Sequence, residues 1–542
     1  MGKLIRALLA LTLAAIALPA MAAEVPRLVS KNGRHALFVD GAPFLMLGIQ
    51  ANNSSNYPAM LPLVWPMVER LHANTLEIPV AWEQIEPVEG KFDFSYVDVL
   101  LKQARQHDTR LVLLWFGTWK NGNGTYVPEW VKSDTVRFPR ARTASGAAHH
   151  SLSAFGKNTL NADRRAFVAL MTYLRDHDPD NSVIMVQPEN EAGAWSLGRD
   201  YRPEATALFE GPVPAALVSR LGRKPGSWRQ VFGKTAETAF SAWHTAQYID
   251  AIAAAGKAVK PLPMYCNAAL SDAFNAEPDP MGVPAGGPNW TVIDIWKAAA
   301  PHIDLVAPDI YTQDWKGYLA YVDHYARPDN PLMVPETGHA LEFARFFWPV
   351  LGKGAIGFAP FGLDGDDYTN YPLGAKVLDD ATIEAFAANY RLFKPMAGSW
   401  AKIALEKPTW GVAKSPDAAD QSTVLGRWRV TAMFDMWAFG EREWTWLTVD
   451  PHPTKGKMVG GALVAQLGPD EFLVAGANIR MRFGLADAAP GEHSQYLSVE
   501  QGSFDQSGAW VRRNVWNGDQ TDYGLNFTAR PVMLRVRLGT WK

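Results

Sequence analysis

Two glutamates stand where apolar runs end, a placement in which carboxylates can do chemistry. Glu191 closes the run that begins at Ser182, and Glu336 follows the run that begins at Pro331. A protonated carboxyl can deliver a proton to a leaving oxygen, and an ionised carboxylate can attack an anomeric carbon. The pair therefore predicts glycoside hydrolysis. A mechanism that retains the anomeric configuration requires a carboxyl separation of about 5 to 5.5 Å.

Glu189 is a rival for the role of the acid. It lies two residues before Glu191, and residues two apart on a strand share a face. A glutamate at a strand end also serves structurally, as the partner of an arginine or of a helix N-terminus. The residues alone leave the choice between Glu189 and Glu191 open.

The elements that must position these carboxylates are short apolar runs that alternate with segments of helical period. Near-continuous apolar strands suit a parallel sheet buried on both faces, and strand–helix alternation predicts an α/β fold. Eight such units over residues 27–395 predict a (β/α)8 TIM barrel, whose catalytic groups project from the C-terminal ends of its strands. The predicted strands are 44–49, 73–82, 110–119, 182–191, 262–270, 304–312, 331–338 and 354–362, and the clearest helices are 97–106, 163–175, 237–254 and 382–393.

The pattern changes in residues 396–542, where shorter alternating runs are separated by Gly, Asp, Asn and Pro clusters. Short alternating runs separated by turn-forming clusters predict a smaller all-β sandwich domain. Such a domain either binds glycan or braces the barrel, and bracing is the favoured interpretation. The alternating runs are 423–432, 460–466, 471–482, 495–501 and 531–538.

Two longer motifs give the barrel a family resemblance. Residues 82–94, WEQIEPVEGKFDF, resemble the W-x-x-x-E-P-x-E-G-x-[FY]-D-F signature of families 35 and 42 of β-galactosidases, which are clan A retaining glycosidases. Residues 187–193, QPENEAG, are similar to the Q-x-E-N-E-Y-G run of family 35, which favours that family over family 42. The resemblance spans roughly residues 28–395 and does not cover the C-terminal domain.

The resemblance implies a role for each residue of the site. Glu191 is implied as the general acid/base, Glu336 as the nucleophile and Asn190 as the partner of the sugar 2-hydroxyl; Glu189 then becomes a pocket-wall residue. Tyr311, which closes the sixth run, is expected to hold the nucleophile through its phenolic hydroxyl. Aromatic side chains at strand ends are candidates for the apolar face of galactose, and nearby polar side chains are candidates for its hydroxyls. The aromatic candidates are Trp82, Trp119, Trp195 and Phe361, and the polar candidates are Asn52, Asn53 and Glu83.

Together these features predict a retaining exo-β-galactosidase of the family 35 type. Two departures weaken galactose as the glycone: Ala192 stands where the family has Tyr, and residues 117–122 replace the family's R-P-G-P-Y run. One alternative is therefore another clan A retaining glycosidase, such as an endo-glycanase. A second alternative, a non-catalytic glycan-binding protein, requires the loss of a carboxylate, and both carboxylates are present.

Composition excludes other classes. The 542 residues carry 52 Lys and Arg against 55 Asp and Glu, a net charge of −3 that cannot hold a polyanion, so no nucleic-acid partner is expected. The expected partner is an oligosaccharide. No cofactor is predicted, and no metal, because His149–His150 and the Asp364, Asp366 and Asp367 group lack the spacing of zinc or calcium sites.

The N-terminus predicts export. Lys3 and Arg6 precede an apolar run at 7–18, and small residues at 20–22 predict a signal peptide cleaved after Ala22. The run is shorter than the ~20 residues that cross a bilayer, and the single cysteine, Cys266, offers no lipid anchor at the cleavage site. A periplasmic or secreted enzyme without a membrane anchor follows, acting on plant-type oligosaccharides such as xyloglucan fragments or galactans. The sequence does not specify an oligomeric state.

Overall fold

The computed structural model describes residues 24–437, 439–505 and 507–542. The predicted signal peptide at 1–22 lies outside these residues. The described chain forms an eight-stranded parallel sheet followed by two antiparallel sheets, so the predicted fold class is confirmed. No helix within these ranges is long and apolar enough to cross a membrane.

The N-terminal half contains a three-stranded antiparallel sheet, the barrel strands and a small hairpin in the loop after the third barrel strand. Each of the eight predicted strand segments coincides with one barrel strand, although the strands that end at Gln50 and Lys120 run one residue past their predicted ends. In chain order the strands are β1 (Arg27–Lys31), β2 (Arg34–Val39), β3 (Ala42–Phe44), β4 (Met46–Gln50), β5 (Thr75–Ala81), β6 (Arg110–Lys120), β7 (Arg140–Arg142), β8 (Ala148–Leu152), β9 (Val183–Asn190), β10 (Tyr265–Ala268), β11 (Leu305–Ile310), β12 (Val334–Thr337) and β13 (Gly357–Pro360).

Helices pack around the barrel through apolar stripes. In the helix Lys157–His177, buried apolar residues recur every fourth position, at Ala162, Ala166, Leu170 and Leu174. In chain order the helices are α1 (Leu61–Arg70), α2 (Trp82–Ile85), α3 (Ser95–Gln106), α4 (Glu129–Ser133), α5 (Lys157–His177), α6 (Pro203–Glu210), α7 (Ala215–Arg220), α8 (Trp228–Phe232), α9 (Ala236–Lys257), α10 (Ile293–Ala299), α11 (Trp315–Tyr325), α12 (Phe347–Gly352), α13 (Asp380–Phe393) and α14 (Ala397–Glu406).

The parallel sheet runs in the order β10-β11-β12-β13-β4-β5-β6-β9. Its two ends meet through a parallel bridge between Val186 and Met264, beside a hydrogen bond of 3.1 Å from the Val186 N–H to the Pro263 carbonyl. We call this junction of β9 and β10 the seam. All residues of β5 and β9 are buried, as a sheet covered on both faces requires.

The C-terminal strands form a six-stranded sheet, β14-β17-β18-β23-β20-β21, and a four-stranded sheet, β15-β16-β19-β22. Two of the predicted runs each contain two strands. Gly426, with φ of 59°, turns the chain between β15 and β16, and Asn478, with φ of 50°, sends it from one sheet to the other. The strands are β14 (Thr409–Ala413), β15 (Gln421–Leu425), β16 (Trp428–Met433), β17 (Gly461–Gly468), β18 (Glu471–Ala477), β19 (Ile479–Leu485), β20 (His493–Phe504), β21 (Trp510–Val515), β22 (Leu525–Phe527) and β23 (Val532–Trp541).

The six-stranded sheet serves two cores at once. Along β17 and β18, Leu463 and Leu473 belong to the barrel's core, whereas their neighbours Val464 and Val474 belong to the core between the two sheets. This alternation is the period of two that a strand imposes. Helix α14 lies beyond the expected boundary at residue 395 yet joins the barrel side, because Arg34 donates to the Ala404 carbonyl at 2.9 Å.

Candidate active site

Glu336 is held by donors from four other barrel strands. Its Oε1 accepts from Gln50 Nε2 at 2.8 Å, from Asn190 Nδ2 at 3.3 Å and from Asn267 Nδ2 at 3.3 Å. Its Oε2 accepts from the Tyr311 hydroxyl, which follows β11, at 2.7 Å. Only 3% of Glu336 is exposed. The carboxylate is therefore fixed in one orientation at the C-terminal end of β12.

Three carboxyl groups meet at this point. Asp309 on β11 is the register partner of Glu336 on β12, and Glu191 follows directly after β9. One carboxyl oxygen from each residue lies within 4.8 Å of the other two. Glu191 and Glu336 therefore face each other closely, as a pair of carboxyl groups acting on one glycosidic bond must.

The surroundings of Glu191 suit a proton donor. Burial raises the pKa of its carboxyl, the Lys120 ammonium lowers it, Glu336 raises it, and a hydrogen bond with Asp309 lowers it, with a result of about 7. A carboxyl with such a pKa is protonated in a large fraction of molecules near neutral pH. The Glu191 backbone N–H donates to Asn267 Oδ1 at 2.8 Å, which fixes the chain at the seam.

The surroundings of Asp309 disfavour its ionised form. Burial raises its pKa well above the usual range, and the neighbouring Glu336 and Glu191 raise it further. Asn267 Nδ2 donates to Asp309 Oδ2 at 2.7 Å, whereas Asp309 Oδ1 is buried with no donor. Asp309 Oδ1 receives no hydrogen bond and lies beside Glu191, so it is the oxygen that can carry the carboxyl proton of Asp309.

Lys120 places a positive charge among these carboxyls. It ends β6, is 6% exposed, and donates to Asn190 Oδ1 at 2.8 Å and to Asn121 Oδ1 at 2.6 Å. Because Asn190 accepts from Lys120 and donates to Glu336, its amide has one orientation. A fixed amide beside the nucleophile can bind a sugar hydroxyl without rearranging.

We call Glu191, Asp309 and Glu336 the carboxyl trio. Glu189 does not contact this trio. Its Oε2 accepts from the Trp119 backbone N–H at 2.6 Å, and its side chain lies beside Asp163 of α5. The backbone takes positive φ angles at Glu189 (64°) and at Glu191 (43°), which breaks the strand alternation that would have put both on one face. Burial, followed by Asp163, raises the pKa of Glu189 well above the usual range.

Of the predicted sugar-binding residues, Phe361 and Asn52 lie at the mouth. The Phe361 ring meets the Tyr311 ring edge-on at 6.5 Å. Asn52 donates to Asp364 at 2.9 Å, and its backbone N–H donates to the same carboxylate at 2.6 Å. The Oδ1 atoms of Asn52 and Asn53 are buried and receive no hydrogen bond from the described residues.

The structure does not bring three other predictions to the site. Trp82 is fully buried and donates to Glu86 at 3.0 Å, so it is a core residue. Trp119 is 3% exposed because its ring packs on Tyr248 and its Nε1 bonds the Leu152 carbonyl at 3.2 Å. Glu83 accepts from Lys132 at 2.8 Å and is held in that ion pair.

Four residues of the site were missed from the sequence: Gln50, Lys120, Asn267 and Asp309. Each is a polar residue at or near the end of a barrel strand. A polar residue at the end of an apolar run, the signal that marks Glu191 and Glu336, marks all four when aspartates, amides and lysines count as well as glutamates.

The carboxyl trio offers three oxygen ligands, as many as a divalent cation could use. The groups around these oxygens, however, are not those of a cation site. Gln50, Asn190, Asn267 and Tyr311 direct N–H and O–H groups at the Glu336 oxygens, and Lys120 adds a positive charge. Hard cations prefer oxygen ligands whose lone pairs are free. The donor set suits a shared proton and a cationic transition state.

Two family models match the chain. Residues 65–255 match the glycoside hydrolase family 42 model, which is described as β-galactosidase. Residues 386–528 match DUF5597, a domain of unknown function. The first match includes Asn190 and Glu191 and ends before Glu336. The comparisons do not support family 35, which the run at 187–193 favoured.

Solved β-galactosidase structures resemble the chain. One from Bacillus circulans sp. alkalophilus has a TM-score of 0.51 at 10% identity and covers 91% of this chain and 99% of its own. Those from Marinomonas ef1 and Rahnella sp. R3 have TM-scores of 0.47 and 0.46 at 11% and 15% identity, covering 66% and 69% of this chain. The chain spans only 61% and 59% of the length of these two proteins. At 10% identity, the likeness to the Bacillus circulans structure is one of fold alone.

No protein of curated function matches the chain. Residues 65–255 of the barrel are similar to the glycoside hydrolases of family 42, an enzyme class whose substrates are carbohydrates. Within that class, the matching model carries the description β-galactosidase.

Proposed function

We propose that the protein is a retaining exo-β-galactosidase that removes terminal β-galactosyl residues from plant-type oligosaccharides, such as xyloglucan side chains or galactans. The observation that carries the proposal is the approach of Glu191 and Glu336 to within 4.8 Å at the C-terminal strand ends. The description of the matching family model supports galactose as the glycone.

In the first step, a Glu336 oxygen attacks C1 of the galactosyl residue while the bond between C1 and the leaving oxygen breaks. Glu191 gives its proton to that oxygen, so the aglycone leaves as a neutral alcohol and the sugar remains as an ester of Glu336. Gln50, Asn190, Asn267 and Tyr311 keep the attacking carboxylate in line.

In the second step, the ionised Glu191 takes a proton from water while the water oxygen attacks C1. The ester bond to Glu336 breaks, galactose leaves with its β configuration, and both carboxyl groups return to their starting states. Asn190, held by Lys120, binds the sugar 2-hydroxyl in both transition states. A contact there that tightens in the transition state accelerates the reaction.

We also propose that the enzyme is exported, because the segment at 1–22 has the pattern of a signal peptide. An enzyme in the periplasm or outside the cell meets oligosaccharides that other enzymes have already released.

The test uses an aryl β-galactoside with the wild-type enzyme and the Glu336→Gln variant, and ¹H NMR of the first product. We expect β-galactose to appear before its α anomer, and we expect Glu336→Gln to lose at least about 10³-fold in kcat. Glu189→Gln is the control, since Glu189 lies outside the carboxyl trio.

First appearance of the α anomer would overturn the retaining mechanism. Hydrolysis of another aryl glycoside but not of the galactoside would overturn the glycone and leave the mechanism intact. On β-1,4-galactan, galactose as the first product supports exo action, whereas a ladder of oligosaccharides would assign an endo-glycanase.

A further inference from the structure

A loop of the C-terminal domain exposes aromatic side chains that the reaction does not use. We call residues 434–460, which join β16 to β17, the aromatic loop; its described residues form no helix or strand. The Trp444 and Trp446 rings stack at 4.8 Å and 25°. Trp446 is 62% exposed, and Leu447 is 53% exposed. An exposed apolar cluster on a long irregular loop indicates a binding surface.

The two ends of the aromatic loop are clamped by buried polar contacts. Lys414, 1% exposed, donates to Asp435 Oδ1 at 2.6 Å and to the Thr454 carbonyl at 2.7 Å, and Thr454 Oγ1 donates to the same carboxylate at 2.6 Å. Arg480 of β19 donates to the carbonyl of Trp437, near the start of the loop, at 2.8 Å. These contacts set where the loop leaves the domain.

The contacts among Lys414, Asp435 and Thr454, which we call the clamp, lie near the C-terminal ends of the barrel strands. Ala413, next to Lys414, accepts from Trp315 Nε1 at 3.0 Å, and Trp315 lies four residues after Tyr311. Arg345 donates to the Gln313 carbonyl and to the Met458 carbonyl, each at 3.3 Å. The base of the aromatic loop thus touches the segment that follows β11, beside the Glu336 site.

Other exposed aromatics surround the same mouth. Each follows the C-terminal end of a barrel strand, the face on which these barrels bind substrate. A ring of such side chains suits a ligand longer than one sugar. They are Tyr57 after β4 (47% exposed), Trp195 after β9 (38%), Phe274 after β10 (68%) and Tyr368 after β13 (60%).

We propose that the aromatic loop is a binding surface for the aglycone, on which Trp446 stacks against sugar rings of an oligosaccharide whose terminal residue occupies the Glu191–Glu336 site. This inference rests on the proposed function. Flat C–H faces of sugars suit an indole, and hydroxyls suit the charged side chains nearby. Those charges, on Arg442, Glu443 and Asp450, are exposed, whereas the core of an interface between two copies is depleted of charge.

The test compares Trp446→Ala with the wild type on an aryl β-galactoside and on a galactosylated xyloglucan oligosaccharide. We expect kcat/KM to stay within about twofold for the aryl substrate and to fall about tenfold, through KM, for the oligosaccharide. Trp541→Ala is the matched control, because Trp541 is 53% exposed in the same domain and should change neither value.

Equal kinetics of Trp446→Ala and wild type on the oligosaccharide would overturn the proposal, and a dimer in sedimentation that this variant abolishes would assign the surface to a second copy. Affinity electrophoresis in xyloglucan or β-1,4-galactan gels separates the two proposals, since it needs no turnover. Retardation of the wild type that Trp446→Ala loses supports the surface even if no galactoside is cleaved. Absence of retardation in both gels would overturn the surface alone.

Discussion

At the scale of single residues, the chemistry of the site depends on which of its carboxyl groups carry a proton. Glu191, Asp309 and Glu336 bring three carboxyl groups within 4.8 Å, and Lys120 supplies one positive charge beside them. Like charges this close cannot all ionise in a buried site. The proposed roles of Glu336 as nucleophile and Glu191 as acid require that the third carboxyl, on Asp309, be neutral; burial and its two neighbours raise its pKa, and it is bonded to Asn267.

Replacement of Asp309 by Asn tests that assignment. Asparagine keeps a neutral group whose oxygen accepts from Asn267 and whose N–H faces Glu191, so we expect kcat/KM to stay within about threefold of wild type. The measurement is steady-state hydrolysis of an aryl glycoside. A loss as large as that of Glu336→Gln would mean that the Asp309 charge is needed.

The Glu191 pKa of about 7 predicts the alkaline side of the pH profile. The first step needs protonated Glu191, so kcat/KM should fall as pH rises through about 7. Lys120 favours the ionised form, so Lys120→Met should move this limb up by about one pH unit.

The control is Lys132→Met, which removes a cation paired with Glu83. The limb should keep its position in this variant. A limb that Lys120→Met leaves unmoved, or moves to lower pH, would show that another group titrates there.

At the scale of elements, the end of β9 shows how a strand presents a catalytic group. Positive φ angles at Glu189 and Glu191 turn one side chain toward Asp163 and the other toward the trio. Glu189 anchors this shape, because it accepts from the Trp119 N–H and, when protonated, donates to Asp163. Strain of this kind persists only where neighbours over-determine it.

Two substitutions at Glu189 separate anchoring from charge. Glu189→Gln keeps an acceptor for Trp119 and a donor for Asp163, so thermal stability should barely change. Glu189→Ala leaves the Trp119 N–H buried and unpaired and removes one donor from Asp163, which keeps its bonds from Trp115 and Thr118, and should cost about 2 kcal/mol. Thermal denaturation measures both variants, and equal losses would refute the shared proton.

The sequence could predict the barrel because its strands are apolar on both faces and are closed by polar residues. It could predict that Glu191 and Glu336 stand at strand ends of one barrel, because each closes an apolar run, and the structure brings their carboxyl groups together. It could not predict that Gln50 and Asn267 meet Glu336, since only barrel closure brings strands so distant in sequence together. The left-handed backbone at Glu189 and Glu191 was equally hidden, because glycine, asparagine and aspartate are its usual residues.

At the scale of the molecule, barrel and sandwich are one packed body. Leu463 and Leu473 of the six-stranded sheet belong to the barrel's core. Trp348 of α12 lies against Gly411 and Gly461, where a Cβ would come within 2.2 Å of its carbonyl oxygen and 2.4 Å of its ring. Glycine at both positions lets the two domains approach this closely. The sandwich therefore braces the barrel in addition to carrying the aromatic loop.

Gly411→Ala should lower the free energy of unfolding by about 2 kcal/mol, because the new methyl group meets backbone that cannot move aside. Gly484→Ala is the control, since a Cβ there meets nothing within 4 Å. Denaturant unfolding measures both variants. Equal stability of the two would contradict close packing between α12 and β14.

The seam gives this architecture a thermal consequence. It separates Asn190 of β9 and the following Glu191 from Asn267 on β10. The hydrogen bond from the Glu191 N–H to Asn267 crosses it, and Asn190 and Asn267 reach Glu336 from its two sides. Local opening costs less free energy than global unfolding. Breathing of β9 against β10 would draw the proton donor away from the nucleophile while the rest of the barrel stays folded. We therefore expect turnover to be lost on heating before the barrel melts, which activity and circular dichroism recorded over the same temperature ramp would compare.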